Sequence, residues 1–297
     1  MNSLLRGNAL LALAAAAVWG GGDFSGGMGV KRAGGGVRAA LRVVLLSHVT
    51  SLTVLALVAW ARGDRFPQGA LLAWGIGAGV AGGLALTCFY LALSRGAMGA
   101  SAAVSGLLAA AIPAGWTLWQ AGSPGPQALL GFAVAGTAIW LIAAGGTDAG
   151  AGSAGRETTA LALAAGVGFG IYFLALKMAG PAGVVWPMAT ARIGSLSICS
   201  LIFAGLGRQH ARDGEAAVSL DGGAVGWALA AAVLDTSGNL LFLAATRAGR
   251  LDVAAVLGSL YPASTILLAA LALGEWPTRR QALGMAAAVV AVVLIAV

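Results

Sequence analysis

Apolar stretches of membrane-spanning length follow one another along almost the whole chain. Residues 8–30, 37–60, 69–93, 97–119 and 127–144 form a first set, and residues 158–178, 183–206, 224–246, 252–273 and 278–297 a second. A bilayer core takes roughly 20 apolar residues of helix, so about ten spans account for most of the 297 residues. In lipid every backbone polar group must be bonded within its own segment or in a closed barrel. Runs such as residues 9–18 and 285–297 lack the alternation of a barrel strand. With 59% hydrophobic and 9% charged residues, against about 25% charged in a soluble domain, the chain is expected to be an all-α, multi-pass membrane protein.

That frame removes several function classes. The net charge is +7, but Lys and Arg lie scattered, mostly at the ends of apolar runs. They suit snorkelling to headgroups and form no stripe that would bind nucleic acid. Cys88 and Cys199 both fall inside predicted helices, and with only two histidines in the chain no metal site is expected. There is no Walker lysine loop, H-E-x-x-H or G-x-S-x-G, so no catalytic residues and no enzyme activity are expected, and direct drive by ATP is not expected either. Arg6 followed by the apolar residues 9–18 has the outline of a signal peptide. An uncleaved first helix fits better, because the apolar register runs on past Trp19.

The two sets of five repeat one another. Ala40-Leu41-Arg42-Val43 matches Thr190-Ala191-Arg192-Ile193, and Tyr90-Leu91-Ala92-Leu93-Ser94-Arg95 matches Phe242-Leu243-Ala244-Ala245-Thr246-Arg247. Gln127-Ala128-Leu129-Leu130-Gly131 matches Gln281-Ala282-Leu283-Gly284. The expected division is a first repeat over residues 1–145, a small polar linker over 146–157 and a second repeat over 158–297. An odd number of helices per copy makes the second enter the membrane with opposite polarity, the inverted repeat of alternating-access transporters.

Trp19-Gly20, Arg42 and Arg192 early in the second helix of each copy, Tyr261-Pro262, Leu273-Gly274-Glu275-Trp276-Pro277-Thr278 and the closing Gln281-Ala282-Leu283-Gly284 together resemble the EamA domains of the drug/metabolite transporter superfamily. The first copy departs from the pattern, with Gly122 where the acid of the turn would stand and Pro113 displaced relative to Pro262. The resemblance implies a ten-helix transporter, and export more than import. It does not specify a substrate. It also favours termini inside the cell, whereas the distribution of Lys and Arg leans towards termini outside, so the orientation stays open.

Charges at membrane depth are the candidates for function. Asp235 falls near the middle of its span, about 16 Å from either end. Asn239 is four residues on and shares its face, with Ser237 close by. Asp23 lies among glycines in the first span, about 12 Å from the basic helix end, and suits a gate or a second polar contact. Neither acid has a copy in the other half: Asp235 corresponds to a position near Gly83, and Asp23 to one near Phe173. Arg42 and Arg192 are duplicated, which suits helix pinning, with substrate contact as the other reading. His48 suits a packed, hydrogen-bonded role. Trp19, Tyr90, Trp116, Trp119, Phe169, Tyr172 and Tyr261 are candidates for a cavity wall.

The expected substrate and translocation residues are therefore Asp235, Asn239, Asp23, Trp19, Tyr90, Ser237 and Tyr261, with Arg42 and Arg192 as pins or substrate contacts. The expected function is a secondary transporter or facilitator of a small amino-acid-like or drug-like metabolite, in the plasma (cytoplasmic) membrane, as monomer or homodimer. No cofactor is implied, and proton coupling is open. The alternative is a flippase for lipid or lipid-linked sugar; a non-transporting scaffold or receptor fits less well.

Overall fold

In the computed structural model, residues 2–95, 98–144, 153–213, 220–274 and 276–296 are described. Eleven α-helices form among them: α1 Asn2–Arg32, α2 Gly36–Ala61, α3 Gly69–Arg95, α4 Met98–Ala121, α5 Pro126–Ala144, α6 Ser153–Ala179, α7 Val185–Asp213, α8 Gly222–Ala248, α9 Leu251–Gly258, α10 Tyr261–Leu273 and α11 Arg279–Ala296. No strand forms among the described residues. Eight spans, one of them α9 and α10 together, are long and apolar enough to cross a membrane, and Pro126–Leu141 is a shorter apolar helix.

Local chemistry sets the helix ends. Asp221 caps α8 by accepting the Ala224 N–H at 2.6 Å. That bond and the Arg32 side chain hold the exposed Asp221 carboxyl below the usual carboxylate range. Gly274 closes α10 in the left-handed conformation at φ 70°, with its N–H on the carbonyls of α10's last turn. The span expected over residues 252–273 breaks at Ser259-Leu260. Pro262 lacks an N–H and its ring collides with the preceding turn, so a new helix starts at Tyr261. Pro113 stays inside α4 without breaking it. α7 runs past the apolar stretch 183–206 and stays helical as far as Asp213. Within the expected linker, α6 already begins at Ser153; residues 145–152 and Glu275 lie outside the described residues.

Most of the large helix contacts join the two halves of the chain. α1 packs on α8, α3 on α6 and α7, α5 on α11, α2 on α7, α4 on α6, and α1 on α9 and α10. Small residues make these approaches close. Gly75, Gly79 and Gly83, four residues apart on α3, face Thr190, Ala191 and Ser195 of α7. A Cβ on Gly79 would stand 2.6 Å from the Ala191 carbonyl carbon, so the backbones meet there. On α1, Gly20 abuts α10, Gly22 abuts α8 and Gly26 lies under the Tyr90 ring of α3. The glycine run makes α1 a packing hub. Large apolar side chains such as Leu201, Leu271 and Val289 face outward, as a lipid solvent allows.

Polar bonds close the bundle differently at its two ends. Where α1 begins and α8 ends, Asn8 donates to the Arg250 carbonyl at 3.2 Å and Arg250 donates to the Gly122 carbonyl at 2.9 Å. Arg250 also grips the fully buried Asp252, which keeps the guanidinium pKa above its usual value. Lys177 donates to the Thr246 carbonyl, Arg247 to the Gly180 carbonyl at 2.6 Å, and the Trp186 indole to the Asp64 carbonyl at 2.9 Å. At the opposite end the ties between halves are exposed ion pairs, Arg32–Asp221 at 3.1 Å and Arg95–Glu157 at 3.3 Å. Exposed pairs of this kind are screened by solvent and contribute little.

Candidate functional site

The midpoint of α8 carries Asp235, and the faces of six other spans converge on it. Trp19 and Asp23 of α1, His48 of α2, Gly79, Gly82, Gly83 and Leu86 of α3 line one side of a cavity. Phe169, Tyr172 and Phe173 of α6, Ala191, Arg192 and Ser195 of α7, and Asp235 and Asn239 of α8 line the other, with Tyr261 of α10. The volume open to the centre of a water is about 40 Å³. At roughly 10–15 Å³ per water on that measure, it holds about three waters. The absence of side chains at Gly79, Gly82 and Gly83 leaves a smooth wall where α3 passes Tyr172 and α7.

Arg192 organises the polar part. Its Nη2 is ion-paired to Asp235 Oδ2, its Nη1 donates to His48 Nε2 at 2.9 Å, and its Nε donates to Ser51 Oγ at 2.9 Å. Thr236 in turn donates to Ser51 Oγ at 2.6 Å. A guanidinium only donates, so His48 Nε2 must be an acceptor. The ring proton therefore sits on Nδ1, which donates to Ser195 Oγ at 2.6 Å, and His48 is neutral in this arrangement. Asn239 Nδ2 donates to the Asp235 carbonyl at 2.7 Å and to Asp235 Oδ1 at 2.9 Å, while its Oδ1 accepts from Tyr172 Oη at 2.7 Å. Asp235 is thus a paired, multiply bonded carboxylate. Its side chain is 13% exposed and that of Arg192 5%.

Asp23 differs. It is 8% exposed, lines the same cavity, and no hydrogen bond or ion pair reaches it among the described residues. Trp19, one turn earlier on the same face of α1, stacks on Phe173 at 5.3 Å between centroids and meets Phe242 at 5.4 Å. Next to Asp23 along α1, Gly26 lies under the fully buried Tyr90, whose hydroxyl has no partner among the described residues. The Tyr261 hydroxyl is committed to Ser105 at 2.6 Å.

The residues singled out from sequence divide accordingly. Asp235, Asn239, Asp23, Trp19, Tyr261 and Arg192 are brought together at one cavity. Tyr90 sits behind its wall. Ser237 is half-buried and not on the lining, because two helical steps from Asp235 turn it about 200° away. The two arginines are not equivalent: Arg42 lies over the Phe203 ring at 5.3 Å, away from the cavity. Arg192 does pin helices, but through side chains of α2 and α8. Trp116 and Trp119 pack on each other at 5.3 Å, with Trp119 exposed. Asp23 shares the cavity with Asp235. Sequence reading gave His48 only a packing role and left out Ser195, Ser51 and the Gly79–Gly83 wall. A signal for Ser195 was present: it is one turn from Arg192 on the same face.

Residues 158–297 match the model of the EamA-like transporter family. Among solved structures 22 chains match. One of them, titled only as the crystal structure of a protein, aligns over 97% of each chain with a TM-score of 0.73 at 18% identity. At that identity the likeness is one of fold, and it extends over both halves. No curated protein matches the chain.

Proposed function

With an EamA-like transporter domain in its second half as the premise, we propose that the whole chain is a secondary carrier of the drug/metabolite transporter superfamily. It moves a small polar or amphipathic metabolite by alternating access, in the export direction. The observation that carries this reading is the mid-depth cavity with buried charge, built from α1, α2 and α3 of one half and α6, α7 and α8 of the other. Charged groups are costly at that depth and are retained there for binding or coupling.

The packing pattern supports two inverted copies. Let α1, α2, α3, α4 and α5 correspond to α6, α7, α8, the α9–α10 pair and α11. The α1–α8 contact then maps onto α6–α3, and α4–α6 onto the pairing of α9–α10 with α1. The α2–α7 and α5–α11 contacts map onto themselves. A two-fold relation between copies requires this pattern, and five spans per copy make the relation inverted. The cavity holds only a few waters, so a metabolite enters when the halves part. At one end the halves are joined by the Asn8–Arg250, Arg250–Gly122 and Trp186–Asp64 bonds to backbone carbonyls, and at the other by exposed ion pairs, which supports unequal closure of the two ends. A lipid flippase calls for a sideways opening, and the ring of lining helices lends that reading no support.

Purified chain in proteoliposomes, loaded with a panel of labelled metabolites, tests the proposal. Saturable flux of at least one, lost in Asp235→Asn or Asp23→Asn and dependent on external pH, is expected. Medium profiles of overproducing cells should show the same compound accumulating. An absence of flux across the panel together with unchanged medium profiles would sink it.

A further inference from the structure

The chemistry of the cavity identifies a class of ligand, within the transporter reading on which this inference rests. We propose that Asp23 accepts the ammonium group of a small amine with an apolar or aromatic body, and that the site does not engage a carboxylate on that ligand.

Charge accounting leads to the first half. The lining holds two carboxylates, Asp23 and Asp235, and one guanidinium, Arg192. His48 is neutral, because Arg192 Nη1 donates to its Nε2. Asp235 is already satisfied by Arg192 and Asn239. The remaining negative group is Asp23, 92% buried by its 8% exposure and without a partner among the described residues. A buried carboxylate of that kind holds either a proton or a cation. An inorganic ion such as calcium takes six or more oxygen ligands, and the described residues contain no cluster of three acidic, histidine or cysteine groups. An ammonium needs only a carboxylate and an aromatic face. Trp19, one turn away on the lining and backed by Phe173, supplies the face.

The second half follows from Arg192. Three of its five N–H donors are engaged, by Ser51, His48 and Asp235, and its charge is already matched by Asp235. A ligand carboxylate meets no free cation in the lining and faces Asp235 and Asp23 instead. Amines should therefore bind better than the corresponding amino acids.

The test is equilibrium binding of radiolabelled tyramine to the purified full chain in detergent, with tyrosine and hydroxyphenylpropionate as competitors. Expected is saturable tyramine binding, tyrosine weaker by about tenfold or more, and no competition by the acid. Asp23→Asn should weaken tyramine at least about tenfold and Asp23→Glu much less. Comparison of the three ligands on the unaltered chain needs no variant to fold. No saturable tyramine binding, equal competition by the acid, or unchanged binding in a folded Asp23→Asn chain would each overturn the assignment. The same preparation in proteoliposomes separates the two readings. Tyramine binding without any flux removes the transporter and leaves the amine site, while flux of other metabolites without amine binding does the reverse.

Discussion

Arg192 of α7 and Asp235 of α8 form an ion pair inside the membrane-spanning bundle, and the same guanidinium reaches Ser51 and His48 of α2. Three helices from both halves of the chain are tied at one charged centre. It lies at the wall of the cavity, so the tie between helices is also part of the candidate site.

Removal of one partner should therefore cost more than removal of both. Asp235→Asn leaves Arg192 buried with an unmatched charge, and a destabilisation of about 3–5 kcal/mol is expected. Arg192→Met with Asp235→Leu removes both charges and should recover much of that loss. Denaturant unfolding of the two single variants and the double variant, in one detergent, measures the coupling. Additive losses would contradict a direct pair.

Close approach of α3 and α7 predicts a sharp positional contrast. At Gly79 a Cβ would meet the Ala191 backbone, whereas Gly77 has nothing within 4 Å. Gly79→Ala should force the helices apart and lower stability by about 1–3 kcal/mol. Gly77→Ala should leave stability unchanged or raise it by up to about 1 kcal/mol through helix propensity. Thermal melting and gel filtration of both variants check the contrast.

Asp252 is fully buried, and its ion-pair partner is Arg250, which also donates to the Gly122 carbonyl. Arg250→Ala strips that carboxylate of its cation and breaks the tie between the halves. A loss of about 3–5 kcal/mol is expected, with faster labelling of a cysteine placed at Asn8. Unchanged labelling in the variant would count against a sealing role for this end.

At the opposite end, Asp221 caps α8 and pairs with Arg32. Its pKa is lowered in the fold, first by the Ala224 N–H and then by Arg32. The stabilisation is thus present above the unfolded carboxylate pKa and is lost as pH falls through the lower folded value. Asp221→Asn should retain the cap and lose the charge, while Asp221→Ala loses both. Melting curves across that window should show wild type converging on Asp221→Asn at the acid end.

The helical spans and the shared inward face of Asp235 and Asn239 were legible in the chain because hydropathy and helical spacing are local. The break at Ser259-Leu260 was signalled by Pro262, yet the unbroken run of apolar residues masked it. Arg42 and Arg192 looked alike because their local sequences are alike. They part in the fold because Arg192 faces an acid on α8 and Arg42 faces the Phe203 ring. Ser237 fell off the lining through helix rotation, a matter of which face of α8 the other half covers.

By itself the sequence determined a membrane-spanning helical chain, the positions of its spans and which of them carry charge at depth. Those follow from the cost of exposed backbone and charge in lipid, which each segment meets alone. Only the tertiary structure decided that, among the described residues, Asp235 is paired and Asp23 is not. Pairing depends on which side chains of distant helices meet, and here glycines on α1 and α3 let the backbones come close enough to settle it.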